Sequence, residues 1–285
     1  MVQGLIAFAK FAFAGSHGNS PQIMRIAFFF LLILLPRSVL ADTCPIPTAL
    51  AFKVDRQIRR DALGFTEGLE IHDGAIWEST GDFFGDTRIN RIDPSTGHVA
   101  AVVNAGKRYF GEGLTFFGGR LYQMTWREHR VFVFDHAIHP LPELSNPREG
   151  WGLTHDDSAL IASDGSSRLY FLSPKDFSVR RVLPVVEDGR SLENINELEF
   201  VNGAIWANVF EDWKLVRISP ETGCVEATVD LRPLRDRMSP TDRGLVDTDS
   251  NFVPNGIAYD PASGLFTVTG KYWPILFSGR FVDQN

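Results

Sequence analysis

The sequence predicts an all-β chain, a five-bladed β-propeller whose ring is closed by its first strand. Three observations predict it. One pattern recurs five times, a second alternating motif trails the first four copies, and helical periodicity is nearly absent. Repeats of about 40 to 45 residues, each carrying four short strands, are the mark of propeller blades.

The elements follow in chain order. "FKVDRQIR" from Phe52 is a strand with no blade of its own. Five copies of the inner hairpin come next: "FTEGLEIHDGAIWESTG" from Phe65, "FGEGLTFFGGRLYQMTW" from Phe110, "EGWGLTHDDSALIASDG" from Glu149, "NINELEFVNGAIWANVF" from Asn194 and "VPNGIAYDPASGLFTVTG" from Val253. Their anchoring aliphatics are Leu69, Leu114, Leu153, Leu198 and Ile257, so all but the last are spaced at one blade length. The third strand of each copy is "RINRIDPSTG", "RVFVFDHAIH", "RLYFLSPKDF" and "KLVRISPETG", alternating residues that run into a turn. A fourth strand is clearest as "VAAVVNA", "VRRVLPVV" and "VEATVDL". A short helix around residues 232 to 238 accounts for the long final spacing. The last unit ends with "YWPILFSG" and lacks an outer strand, so "FKVDRQIR" is expected to complete it and hide the open edges. A six-bladed ring with one degenerate blade is the runner-up.

The chain has 285 residues and a net charge of −7, with no basic stripe, which argues against nucleic acid as a partner. The segment from Met24, "MRIAFFFLLILLPRSVLADTCP", has the layout of a signal peptide cleaved after Ala41. A membrane anchor is the alternative, although the apolar stretch is short for one. Residues 1–23 are expected to be an upstream segment from a start codon placed too early, residues 24–41 the signal peptide, and residues 45–285 one propeller domain. Export to the periplasm or medium follows, without stable membrane association after cleavage. The two cysteines, Cys44 and Cys224, then read as a disulfide, with two unpaired thiols as the alternative. A ring closed within one chain makes a monomer the default.

In a propeller the innermost strands line a central channel, and the residues leading into them meet at one mouth. Those five are Glu67, Glu112, Trp151, Asn196 and Asn255. Beside four of them stand glycines, which let backbones crowd at an axis. Trp126, Phe210 and Lys271 end the second strands of their hairpins and complete an apolar-walled pocket with few polar groups, the usual form of a small-ligand site. Crowded carboxylates at such a mouth are costly unless solvated or used. Other motifs carry little. His136 and His139 lack a metalloprotease spacing, "SDGSS" at 163 is a turn, and "GEGLTFFGG" leads into a strand, unlike a dinucleotide fingerprint.

"FTEGL", "ESTG", "FGEGL", "YQMTW", "EGWGLT", "SDGSS", "NELEF", "WANV", "NGIAYDP" and "TGKYWP", in that order over residues 62 to 277, resemble the plant and bacterial type of glutaminyl-peptide cyclotransferase, or glutaminyl cyclase. The resemblance implies a five-bladed propeller without metal or other cofactor. It also implies conversion of N-terminal glutamine of peptides and proteins to pyroglutamate with release of ammonia. Carried over by position, Glu112 is the general acid/base, Trp126 and Trp151 wall the substrate, and Asn196 and Lys271 bind its polar groups. This chain has Glu67 where the family often has Gln, and Phe210 where it often has Trp. Both, with Asn255, are expected to contact substrate. Glu67 and Glu112 are expected to titrate as a pair. Two other readings stay open: a calcium-dependent, sugar-lactonase-like propeller, since a ring of oxygen ligands suits Ca²⁺, and a non-catalytic propeller that binds peptide N-termini.

Overall fold

The structure, a computed structural model, describes residues 44–82 and 87–284. The upstream segment at 1–23 and the signal peptide at 24–41 lie outside the described residues. The chain is all-β. After β1 (Thr48–Arg59) come three four-stranded antiparallel sheets. The first holds β2 (Thr66–His72), β3 (Ala75–Thr80), β4 (Thr87–Ile92) and β5 (Val99–Gly106). The second holds β6 (Gly111–Phe117), β7 (Arg120–Thr125), β8 (Arg130–Asp135) and β9 (Pro140–Ser145). The third holds β10 (Leu153–His155), β11 (Leu160–Ser163), β12 (Arg168–Leu172) and β13 (Val179–Pro184). A small hairpin, β14 (Val186–Glu187) with β15 (Arg190–Ser191), follows.

The rest is one eight-stranded sheet. It runs through β16 (Ile195–Val201), β17 (Ala204–Val209), β18 (Lys214–Ile218) and β19 (Val225–Asp230), crosses β1, and returns through β22 (Ile275–Asp283), β21 (Leu265–Gly270) and β20 (Pro254–Asp260). The strand that lacked a blade in the sequence thus lies against the last hairpin: β1 pairs antiparallel with β22 from Leu50↔Asp283 to Arg59↔Ile275. Its start also pairs in parallel with β19, Thr48↔Ala227. Just before it, a disulfide ties Cys44 to Cys224 at the foot of β19.

Between β19 and β20 the expected single helix is two, α1 (Arg232–Asp236) and α2 (Pro240–Val246). Ser239 caps α2: its hydroxyl accepts from the Asp242 N–H at 3.1 Å, with Pro240 at the first helical position.

The two inner strands of each sheet are buried on both faces, because each sheet packs against the sheets before and after it, while the fourth strands β5, β9 and β13 are largely exposed. The five anchoring aliphatics are all buried. Apolar clusters join successive sheets, as Trp77 and Ile89 join Leu114 and Phe116 between the first and second. Another, with Ile58, Leu69, Ile76, Ala258 and Leu276, joins the last strands of the chain to the first sheet. The leading strands touch in turn, β2 with β6, β6 with β10, β10 with β16, β16 with β20, and β20 with β2.

Such strands leave backbone N–H groups on their inner edge, and a buried N–H needs a partner. Buried glutamates supply it. Glu197 accepts from the Leu69 N–H at 3.1 Å and the Ile257 N–H at 2.7 Å, joining β16 to β2 and β20. Glu70 accepts from the Phe116 N–H at 3.0 Å, and Glu199 from the Tyr259 N–H at 3.0 Å.

Candidate active site

Four of the five leading strands begin with a register shift. It falls between Thr66 and Gly68, Gly111 and Leu114, Ile195 and Leu198, and Pro254 and Ile257. A bulge of this kind re-aims side chains. Glu67, Glu112, Asn196 and Asn255 each sit inside one. The glycines next to them are required by close packing. A Cβ on Gly113 would stand 2.3 Å from the Leu153 N, and one on Gly152 would stand 2.0 Å from the Asn196 carbonyl oxygen.

The residues that end the second strands share one backbone contact. The N–H groups of Gly81, Trp126, Phe210 and Lys271 donate to the carbonyls of Phe65, Phe110, Asn194 and Val253, at 2.8 to 3.2 Å. The side chains of Trp126, Phe210 and Lys271 therefore leave from equivalent backbone positions, and Gly81 holds that position in the first sheet.

Together these residues enclose a cavity of about 320 Å³ lined by Glu67, Glu112, Trp126, Trp151, Asn196, Phe210 and Lys271. Phe65, Phe110 and Asn251 also line it. The two phenylalanines stand two residues before Glu67 and Glu112, a repeat visible in "FTEGL" and "FGEGL". Asn251 comes from the segment after α2, which the repeat pattern does not cover. Asn255 is the one expected residue that lies off the cavity. Its Nδ2 donates to the Thr66 carbonyl at 2.9 Å and to Glu67 Oε2 at 3.1 Å, so it supports Glu67 from behind. Trp77, Trp206 and Trp273 pack in the core, away from the cavity.

The polar groups are nearly sealed: Glu67 is 2 % exposed, Glu112 5 %, Asn196 2 % and Lys271 4 %. Lys271 Nζ donates to Glu67 Oε1 at 2.7 Å and stands over the Phe65 and Phe210 rings at 4.6 and 4.9 Å. A buried carboxylate needs such a partner. Burial raises the Glu67 carboxyl, and the ammonium pulls it back in part. Glu112 has no such partner among the described residues. Burial lifts it well above the ordinary carboxyl range, and the charges of Glu67, Glu128 and Glu149 add to the rise, while Lys271 opposes it. Asn196 Oδ1 is buried and accepts no hydrogen bond among the described residues. Also among the described residues, no three His, Cys, Asp or Glu side chains are grouped to hold a metal ion.

A buried carboxyl raised by burial, beside an ion pair and between indole walls, can give or take a proton from a small organic group held there. A family model described as glutamine cyclotransferase matches residues 30–281. A glutaminyl-peptide cyclotransferase of Arabidopsis thaliana is 34 % identical over 249 residues, covering 82 % of this chain and 75 % of the plant protein. The crystal structure of Myxococcus xanthus glutaminyl cyclase is similar with a TM-score of 0.76 and 33 % identity, covering 84 % of this chain and all of that one. The chain belongs to the glutamine cyclotransferase family.

Proposed function

We propose that the chain is a glutaminyl-peptide cyclotransferase, an acyltransferase that closes N-terminal glutamine to pyroglutamate and releases ammonia. The observation that carries this reading is the raised carboxyl of Glu112, without an ion-pair partner among the described residues, facing a cavity walled by Trp126 and Trp151.

The reaction is intramolecular. The α-amine nitrogen bonds to the γ-carbonyl carbon, and the bond from that carbon to the amide nitrogen breaks. Glu112 gives its proton to the leaving nitrogen and takes one from the attacking nitrogen, so the carboxyl is restored and ammonia leaves. Holding the folded-back conformer between the indoles supplies much of the rate, because oriented groups react at high effective molarity. An α-amine has a pKa of about 8, so a usable fraction is nucleophilic near neutrality. Asn196 Oδ1 is the acceptor for a substrate N–H. Glu67 is paired with Lys271, and the charge of its carboxylate adds to the rise of Glu112.

In this reading the sheets are five blades of a propeller, with β1 completing the last. The cyclic contacts of the leading strands and the β1–β22 pairing support it, and a ring closed within one chain favours a monomer. The Cys44–Cys224 bond supports export to an oxidising compartment. A calcium site draws less support, since the Lys271 ammonium already occupies the cation position beside Glu67.

The test is incubation of the mature protein with a short peptide bearing N-terminal glutamine, followed by ammonia assay and mass spectrometry. Loss of one ammonia per peptide is expected, and an N-acetylated control should not react. An unchanged peptide with folded protein would overturn the reading.

A further inference from the structure

Both indoles that wall the cavity are held by one side chain outside it. Glu149 Oε2 accepts from Trp126 Nε1 at 3.0 Å and from Trp151 Nε1 at 3.4 Å. Its other oxygen, Oε1, accepts from Arg127 Nε at 2.8 Å. The Arg127 guanidinium lies over the Trp126 ring at 3.8 Å, closing a circuit of carboxylate, guanidinium and indole. Glu149 and Trp151 lie in the lead-in to β10, while Trp126 and Arg127 follow β7, so the circuit ties the second sheet to the third.

Each indole is also packed on a side away from its N–H bond. Phe110 tilts against Trp126 with centroids 5.6 Å apart, and Phe210 meets Trp151 edge-on at 5.6 Å. A Cβ on Gly165, in the "SDGSS" turn, would stand 2.7 Å from the Trp151 ring. Packing restricts the planes of the rings. The N–H bonds orient the edge of each ring, and both end on the same oxygen.

We propose that Glu149 is a positioning residue that sets the separation and tilt of the Trp126 and Trp151 walls, and so the fit of the cavity to the substrate's glutaminyl side chain. It touches neither substrate nor reacting atoms; it shapes the cavity through the two indoles, and its charge adds to the rise of Glu112. Its carboxylate is partly exposed, at 38 % for the side chain, so replacing it does not open the core.

The proposal rests on the cyclase reading for its kinetic test. Glu149→Ala and Glu149→Gln are compared with wild type for turnover of an N-terminal glutaminyl peptide, and ligand-free proteins are compared by near-ultraviolet circular dichroism. Loss of the two indole bonds in Glu149→Ala should raise KM about tenfold with kcat within about threefold. Its indole dichroism should fall. Glu149→Gln keeps an acceptor oxygen for the indole N–H and should recover most of both. A KM unchanged in Glu149→Ala overturns the proposal. So does a Glu149→Gln variant no better than Glu149→Ala, which would make the charge the active feature. Wild type with no turnover defeats the cyclase reading alone. The dichroism then still decides the proposal: intact indole bands in Glu149→Ala would overturn it.

Discussion

Burial and three like-charged neighbours act on the Glu112 carboxyl in one direction, and the ammonium of Lys271 opposes them. The carboxyl is therefore protonated where an ordinary glutamate is not, and a protonated group can serve the leaving nitrogen. Activity should rise with pH as the substrate amine loses its proton, then fall as pH rises through the elevated pKa of Glu112. Glu67→Gln removes a repelling charge and frees Lys271, and both changes lower the pKa of Glu112. Its alkaline limb of kcat should move to lower pH, and a pH profile with that limb unmoved would contradict the account. At this scale the sequence was informative where a residue recurs in register. Glu67, Glu112, Trp151 and Asn196 share one place in the repeat, as do Trp126, Phe210 and Lys271. Asn255 shares the register yet lies behind the cavity, because its amide is taken by Thr66 and Glu67. Glu149 was not legible, because its partners are set by the direction of indole N–H bonds that no spacing encodes.

The bulges at the start of β2, β6 and β16 turn Glu67, Glu112 and Asn196 into the cavity, while the one in β20 places Asn255 behind Glu67. Alternation predicted the strands but not the bulges. A bulge adds a residue without disturbing the apolar pattern on either side of it, and only the glycines hinted at crowding. Gly152 measures that crowding. Its substitution by Ala places a Cβ 2.0 Å from the Asn196 carbonyl oxygen, so Trp151 and Asn196 must separate. Gly152→Ala should cost about 3 kcal/mol of stability by overpacking, read by denaturant unfolding, with KM rising as the cavity is deformed. Full stability would contradict the packing. The helix α2 was missed for a different reason. Its cue, Ser239 before Pro240, is local and short, and a seven-residue helix has too little periodicity to stand out.

Across the whole molecule, inner strand edges are satisfied by buried carboxyls whose pKa values burial raises. Glu70 is lifted from 4.5 to about 7 by burial, against the pull of its Thr115 and Phe116 hydrogen bonds. Glu197 and Glu199 are raised well above the ordinary range, again chiefly by burial. A carboxyl raised in the folded state stabilises fully below its unfolded pKa, and that contribution is lost as pH rises through the folded pKa. For Glu70 the window runs from 4.5 to about 7. The Tm should fall as pH rises through this window, and Glu70→Gln, which keeps an acceptor for Phe116, should flatten the fall. An equal slope in both proteins would contradict the assignment. The partner of the first strand was legible from an outer strand missing in the last repeat. The edge role of Glu70, Glu197 and Glu199 was not, since glutamates on inner strands look like ligands until their N–H partners are seen.

The central claim is that Glu112 moves the proton between the two nitrogens. It is tested most directly by ammonia release from an N-terminal glutaminyl peptide, wild type against Glu112→Gln, with chelator present and folding checked by circular dichroism. Turnover by wild type, with a loss on the order of 10²–10⁴-fold or more in the variant, is the predicted result. A folded Glu112→Gln protein that turns over at the wild-type rate would contradict it.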